Sequence, residues 1–138
     1  GFAVPIDIVR RILPDLLELG YYRHPWLGIR YAYAVTPGLK DALGLPAERG
    51  LLLVQVYPDS PLDRAGLVGA QREVIIGNQR VFVGGDLLVA IDDVEITSYE
   101  QLETYLEDRF RVGDTARILV LSGDQQFDLE VTVGEEPN

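Results

Sequence analysis

Apolar positions recur along the chain with two different periods, and the switches between them lay out the elements. From Pro5 to Gly20, Ile8, Ile12, Leu16 and Leu19 fall on one stripe at helical spacing. Pro5 suits a first turn and Gly20 a stop, while Pro14 predicts a kink or a split into two helices. The stretch Tyr21-Tyr22-Arg23-His24-Pro25 reads as a connector, because the residue before a proline is pushed towards extended backbone. From Ile29 to Val35 the period drops to two, which predicts a half-buried strand. A short helix is expected across "PGLKDALGLP", closed by Gly44 and Pro46, and then Gly50 to Pro58 is a continuous apolar run of strand length.

The second half alternates in the same way. Ser60 can cap a one- to two-turn helix with Pro61 at its first position. "REVIIGNQRVFVGGD" gives two short β runs around Gly77-Asn78, a hairpin, and "DLLVAIDDVEI" reads as strand, Asp92-Asp93 turn and short strand. Ser98 caps "YEQLETYLEDRF", with Leu102, Tyr105 and Leu106 on one side and Gln101 placed to complete a capping box. Turns at Gly113-Asp114 and Gly123-Asp124 bracket "ARILVLS", and "QFDLEVTV" closes the pattern. The class is α+β: a partly open antiparallel β-barrel or sandwich capped by two helices, with a linker helix ahead of it.

At 138 residues the chain is one domain, or one domain with an appendage. An apolar content of 47% is ample for a packed core. The net charge of −10 argues against nucleic acid and anionic membrane surfaces, which would repel the chain within a Debye length. No cysteine is present, so disulfides and thiolate metal sites are excluded. The chain has no methionine and begins at Gly1, which reads as a piece of a longer protein with its localisation signals elsewhere.

Catalytic and cofactor chemistry find little footing. Only Ser60, Ser98, Ser122 and His24 offer the residue types of a nucleophile–base pair. Two of the three serines stand where helix caps are expected, and no nucleophile elbow is present. His24, between Arg23 and Pro25, reads as an exposed linker residue, with no second histidine or cysteine for a metal. "DDVE" at Asp92, Asp93 and Glu95 has turn chemistry rather than calcium-loop spacing. Gly84-Gly85-Asp86 lacks the strand-to-helix context of a phosphate loop and reads as a bend or bulge, and "GEEPN" as a solvated tail. No catalytic residues, metal or cofactor are assigned.

One short motif remains open. In "HPWLGIR", Gly28 sits between two large aliphatics just where a strand begins. A glycine there marks either a turn feeding the strand or a cradle of backbone N–H groups that can hold an anion.

The order of parts supplies a context for that motif. "WLGI" opening a strand, "GLLLVQVYPDSPLDRAGL", "GGDLLVAIDDVEI", a Ser-capped helix, "VGD" and a closing strand pair resemble a PDZ domain, of the permuted kind carried by HtrA-type serine proteases. Residues 1–24 resemble the end of such a protease domain and its linker, 25–134 the PDZ domain, and 135–138 a tail. The pattern departs from the family between Gly66-Leu67 and Gly85-Asp86, where residues 68–84 read as an inserted hairpin.

The resemblance implies that backbone N–H groups of Leu27, Gly28 and Ile29 receive the C-terminal carboxylate of a peptide. The strand from Ile29 to Tyr33 would pair with that peptide, and the helix from Ser98 to Arg109 would form the facing wall. Periodicity leaves open which face of that helix meets the groove. By analogy with the family, Tyr99, Glu103 and Leu106 turn towards the peptide and Leu102 towards the core. Trp26 and Tyr31 complete the expected peptide-binding set. With Leu27, Ile29 and Leu106, Tyr31 makes an apolar site suited to a terminal Val, Leu, Ile or Phe.

The implied function is recognition of exposed hydrophobic C-termini of substrates or regulators by strand addition, modulating a serine endopeptidase domain outside this chain. The chain itself would be catalytically inert. Implied partners are such peptides, the protein's own protease domain and other copies of the full-length protein, in a bacterial extracytoplasmic compartment. The alternative is a domain that serves assembly and interdomain contact, with little peptide affinity.

Overall fold

The computed structural model describes residues 5–137. Readings that fall on residues 1–4 and on Asn138, the ends of the protease-like segment and of the tail, lie outside the described residues. Helix α1 (Ile6–Leu19) leads through β1 (Pro25–Trp26) into β2 (Ile29–Ala34), helix α2 (Pro37–Leu43), β3 (Leu51–Val56) and the short α3 (Pro61–Arg64). Strands β4 (Arg72–Ile76), β5 (Gln79–Val83), β6 (Leu87–Ile91) and β7 (Val94–Glu95) follow. Helix α4 (Tyr99–Arg109), β8 (Thr115–Ser122), β9 (Gln125–Thr132) and β10 (Gly134–Glu135) complete the chain.

The main sheet is antiparallel in the order β2-β3-β6-β8-β9, with β7 paired to β6, and it stays open. The α+β architecture expected from the sequence is thus present. Beneath the sheet, Leu51, Leu53, Leu62, Leu88, Ile91, Ile96, Leu102 and Ile118 are buried in one continuous core that α3 and α4 close. A smaller core of Val35, Leu52 and Leu87 fills the other face under α2. Strands β4 and β5 form a two-stranded sheet of their own, turning at Gly77 as the "GN" pair suggested.

Local signals explain the helix starts. Ser60 Oγ accepts the Asp63 N–H at 3.3 Å and Ser98 Oγ accepts the Gln101 N–H at 3.1 Å. The expected capping box is altered at its second half: Gln101 Oε1 accepts from Thr97 N–H at 2.7 Å, one residue ahead of the cap. Thr36, unremarked in the sequence, caps α2 through the Leu39 N–H at 3.1 Å. Asp92 and Asp93 both take left-handed backbone (φ 47° and 69°), which makes them the tight β6–β7 turn.

Two expectations are corrected. Helix α1 is one helix through Pro14, not split in two. A proline leaves the carbonyl four residues earlier without its helical donor, and here Arg111 Nη2 donates to that Arg10 carbonyl at 2.9 Å. The α1 stripe is also left largely uncovered: Ile8, Leu16 and Leu19 are 48%, 42% and 43% exposed, with only Ile12 half-buried. Finally, the first residues of "GEEPN" are held by backbone pairing while the side chains of Glu135, Glu136 and Pro137 stay exposed. Gly134 and Glu135 pair with Trp26 and Pro25 as β10, and Glu136 N–H donates to the His24 carbonyl at 3.0 Å. Edge backbone at β1 needs a partner, and β10 supplies it.

Candidate functional site

Strand β2 is the terminal strand of the main sheet, paired to β3 on one side only. Helix α4 lies across its open edge, and between them is a cavity of about 200 Å³. Trp26, Leu27, Gly28 and Ile29 line one side, Tyr99, Leu102, Glu103, Leu106 and Glu107 the other, and Pro25 and Glu136 the end.

The cradle residue has a conformation that only glycine adopts readily, φ +102°. A side chain there would also meet packed atoms, because a Cβ on Gly28 would overlap the Cβ and Oγ of Ser60. Ser60 is fully buried and caps α3, so it has no room to yield. The turn is held from within: the Leu27 carbonyl accepts the Leu62 N–H at 3.0 Å and the Gly28 carbonyl accepts the Tyr57 N–H at 2.8 Å. Among the described residues, no hydrogen bond outside the strand ladders uses the N–H of Leu27 or Gly28. Carbonyls turned inward with neighbouring N–H groups unspent make a concavity that can stabilise an anion without a charged side chain.

The walls are apolar below and acidic above. Leu27, Ile29, Leu102 and Leu106 are at most 5% exposed and belong to the main core while lining the cavity. Glu103, Glu107 and Glu136 face the same space, and no Lys or Arg does. His24 Nδ1 lies 2.7 Å from Glu107 Oε1, and the Tyr22 hydroxyl donates to Glu107 Oε2 at 3.3 Å. His24 is therefore exposed at 56% of its side chain, as the linker reading held, but it is engaged with the helix. Tyr99 hydroxyl donates across the cavity to the Ile29 carbonyl at 3.4 Å. Burial, and next the adjacent Glu103 carboxylate, push its phenol up to about 12. Behind the cradle, Trp26 packs on Tyr57 at 5.4 Å, and the Arg30 guanidinium sits 5.9 Å from the same ring.

Of the residues expected at the site, Trp26, Leu27, Gly28, Ile29, Tyr99, Glu103 and Leu106 come together around the cavity. Tyr31 does not. It is 58% exposed, with Arg30 over its ring at 5.6 Å. The β2–β3 register shifts on both sides of Tyr31, and such a bulge breaks the alternation that would have turned it inward. Leu102 is buried as expected and also forms cavity wall. Glu107 and Pro25 were missed although both neighbour named residues. Glu136 reaches the site only through the β1–β10 pairing, which has no local sequence signal. Among the described residues no group of three or more His, Asp or Glu is disposed to hold a metal ion.

An open antiparallel sheet, a terminal strand faced by a capped helix, and a left-handed glycine at the end of the groove between them are the architecture of a PDZ domain, and the chain is similar to HtrA-type serine proteases. Relatives and solved structures agree. The chain is 29% identical, over all of its length, to the chloroplastic Protease Do-like 1 of Arabidopsis thaliana, and covers 29% of that protein. It is likewise 29% identical, over 99% of its length, to a probable periplasmic DegP-like serine endoprotease of Hahella chejuensis, covering 26% of it. Among solved structures, the HtrA-type protease AlgW with a decapeptide matches all of this chain and 37% of its own, at 29% identity and a TM-score of 0.68. An HtrA3 PDZ domain bound to a phage-derived ligand shares the fold at 19% identity and a TM-score of 0.58, over 79% of this chain and 84% of that one. No family model matches the chain. The chain spans roughly a quarter to a third of the length of these curated relatives.

Proposed function

We propose that residues 25–136 form a peptide-binding module that receives the free C-terminus of an extended chain by strand addition to β2. The observation that carries this reading is the Leu27–Ile29 cradle: a left-handed Gly28 with its carbonyl bonded inward, at the end of an open strand edge that faces an apolar cavity. Strand addition supplies backbone hydrogen bonds, while the cavity takes the terminal side chain. Leu27, Ile29, Leu102 and Leu106 favour Val, Leu, Ile or Phe there, and burying one such side chain contributes roughly 1.5–3 kcal/mol. The peptide held by AlgW, a relative in structure and sequence, supports the same use of the fold.

In this reading the module belongs to a longer serine endopeptidase and presents or senses chain ends for it, outside the bacterial cytoplasm, as in periplasmic DegP-like relatives. The test is chemical. Charge-assisted hydrogen bonds contribute roughly 1.5–3 kcal/mol, so amidating a binding peptide should weaken it at least ~10-fold by calorimetry. Equal affinity for acid and amide would remove the cradle from the mechanism.

A second reading has its own observation. Helix α1 buries none of its residues, and Ile6 and Leu17 are 64% and 76% exposed. A face of that kind suits contact with another domain or copy, with the own protease domain as its natural cover. The two readings are compatible, and a protein that binds no peptide would leave only the second.

A further inference from the structure

The cavity holds an unusual contact: among the described residues, the hydrogen bond that runs from wall to wall joins the Tyr99 hydroxyl of α4 to the Ile29 carbonyl of β2. We propose that Tyr99 is a latch, whose hydroxyl occupies in the empty groove the backbone acceptor that an incoming chain end must use. The proposal rests on the peptide-binding reading above.

The argument starts from the edge strand. The Gly28 carbonyl is taken by Tyr57 N–H on the β3 side, so it is unavailable to a ligand. Ile29 is the first β2 residue, and its carbonyl is reached from the α4 side, so this oxygen faces the cavity. Successive carbonyls along a strand point in opposite directions in the plane of the sheet, which makes Ile29 the first outward acceptor beyond the cradle. An antiparallel strand whose carboxylate lies in the cradle would set the N–H of its terminal residue against that oxygen. The phenol and the ligand N–H therefore compete for one site.

The surroundings favour the latched form. Tyr99 is the first residue of α4, fixed by the Ser98 cap; the residue is 37% exposed and lines the cavity. Burial and the Glu103 carboxylate, to which the hydroxyl also hydrogen-bonds, keep the phenol protonated across the ordinary pH range, so its one proton is shared between Glu103 and the Ile29 carbonyl. At 3.4 Å the bond is long, so it biases the groove without sealing it.

A bound conformation that must first break the latch is only fractionally populated, and the apparent Kd is raised by that fraction. Tyr99→Phe keeps the ring and removes the donor. Trp26 is the single tryptophan and lines the cavity, so its emission reports occupancy. Stopped-flow mixing of the full chain with a short Trp-free peptide ending in a free Val gives both rates. The expected result for Tyr99→Phe is an association rate and affinity about two- to fivefold higher, with dissociation little changed. A purely structural role for the hydroxyl would not raise the association rate. Equal or slower association by the variant, with wild type binding the peptide, overturns the latch alone. Absence of calorimetric binding to both proteins overturns the groove reading and the latch with it.

Discussion

Replacing Gly28 by alanine tests whether the cradle is built by the backbone or merely passes through it. Two separate costs follow from the structure. At φ +102° an alanine is strained, at roughly 1–3 kcal/mol. Its Cβ also overlaps the side chain of Ser60, which is fully buried, and overpacking of this kind costs another roughly 1–3 kcal/mol. Only the second cost depends on Ser60. Ser60→Gly removes both overlapping atoms and leaves the Ser60 Cα at 3.5 Å, an ordinary contact. On its own it loses the α3 cap bond to Asp63 and some backbone rigidity, about 1 kcal/mol. The double variant should therefore be less destabilised than the two singles imply, by roughly 1–3 kcal/mol. Urea unfolding followed by Trp26 emission measures all four proteins on one scale. Additivity within about 0.5 kcal/mol would show that Gly28 and Ser60 do not press on each other, and the close-packed cradle would be wrong.

Two further outcomes follow from the charges around the groove. Three carboxylates and no basic side chain line the cavity, and each interaction of unit charges about 6 Å apart in water is worth roughly 0.7 kcal/mol. A Lys near the end of a peptide should thus outbind a Glu there by about threefold or more, with the gap narrowing at high salt and in Glu103→Gln; a salt-independent preference would refute this. The second outcome concerns alkali. Tyr99 is raised from 10.0 to about 12 in the folded protein, so its contribution to stability is complete below pH 10 and is lost as pH rises through about 12. Unfolding free energy should fall across that window, and Tyr99→Phe should make the fall shallower, leaving the parts due to Tyr22, whose phenol is also raised by burial and by Glu107, and to Tyr21, raised by Glu135; identical slopes would show that Tyr99 is not in a desolvated site.

What the sequence made legible was local. The Ser60 and Ser98 caps, the Asp92-Asp93 turn and the period-two runs each depend on residues a few positions apart, and each appears where its chemistry placed it. Gly28 was readable as an anomaly, but its meaning needed Ser60, which is 32 positions away and arrives only through the Leu27–Leu62 and Gly28–Tyr57 bonds. Tyr31 was misplaced because a bulge belongs to a strand pair, not to a strand. The possible split at Pro14 is absent because the Arg10 carbonyl finds its donor in the Arg111 guanidinium, which lies far away in sequence. Glu136 went unseen for the same reason. Short-range chemistry gave the elements, and long-range pairing set which of their side chains meet.

The site and the core are largely the same atoms. Leu27, Ile29, Leu102 and Leu106 are buried among themselves and with Leu53, Leu62 and Ile118, yet one face of each looks into the cavity. A terminal aliphatic side chain entering there would extend a packed interior rather than rest on a surface, which is why a cavity of only about 200 Å³ can be selective. It also separates the residues by the question each can answer. Truncating Leu102 or Leu106 opens a void in the core and weakens fold and groove together, so loss of binding there would carry no information about recognition. Tyr99 and Glu103 stand at the rim, where a hydroxyl or a charge can be removed with little change in packing. The backbone donors of the cradle cannot be deleted by substitution at all, and must be probed from the ligand's side by removing its carboxylate.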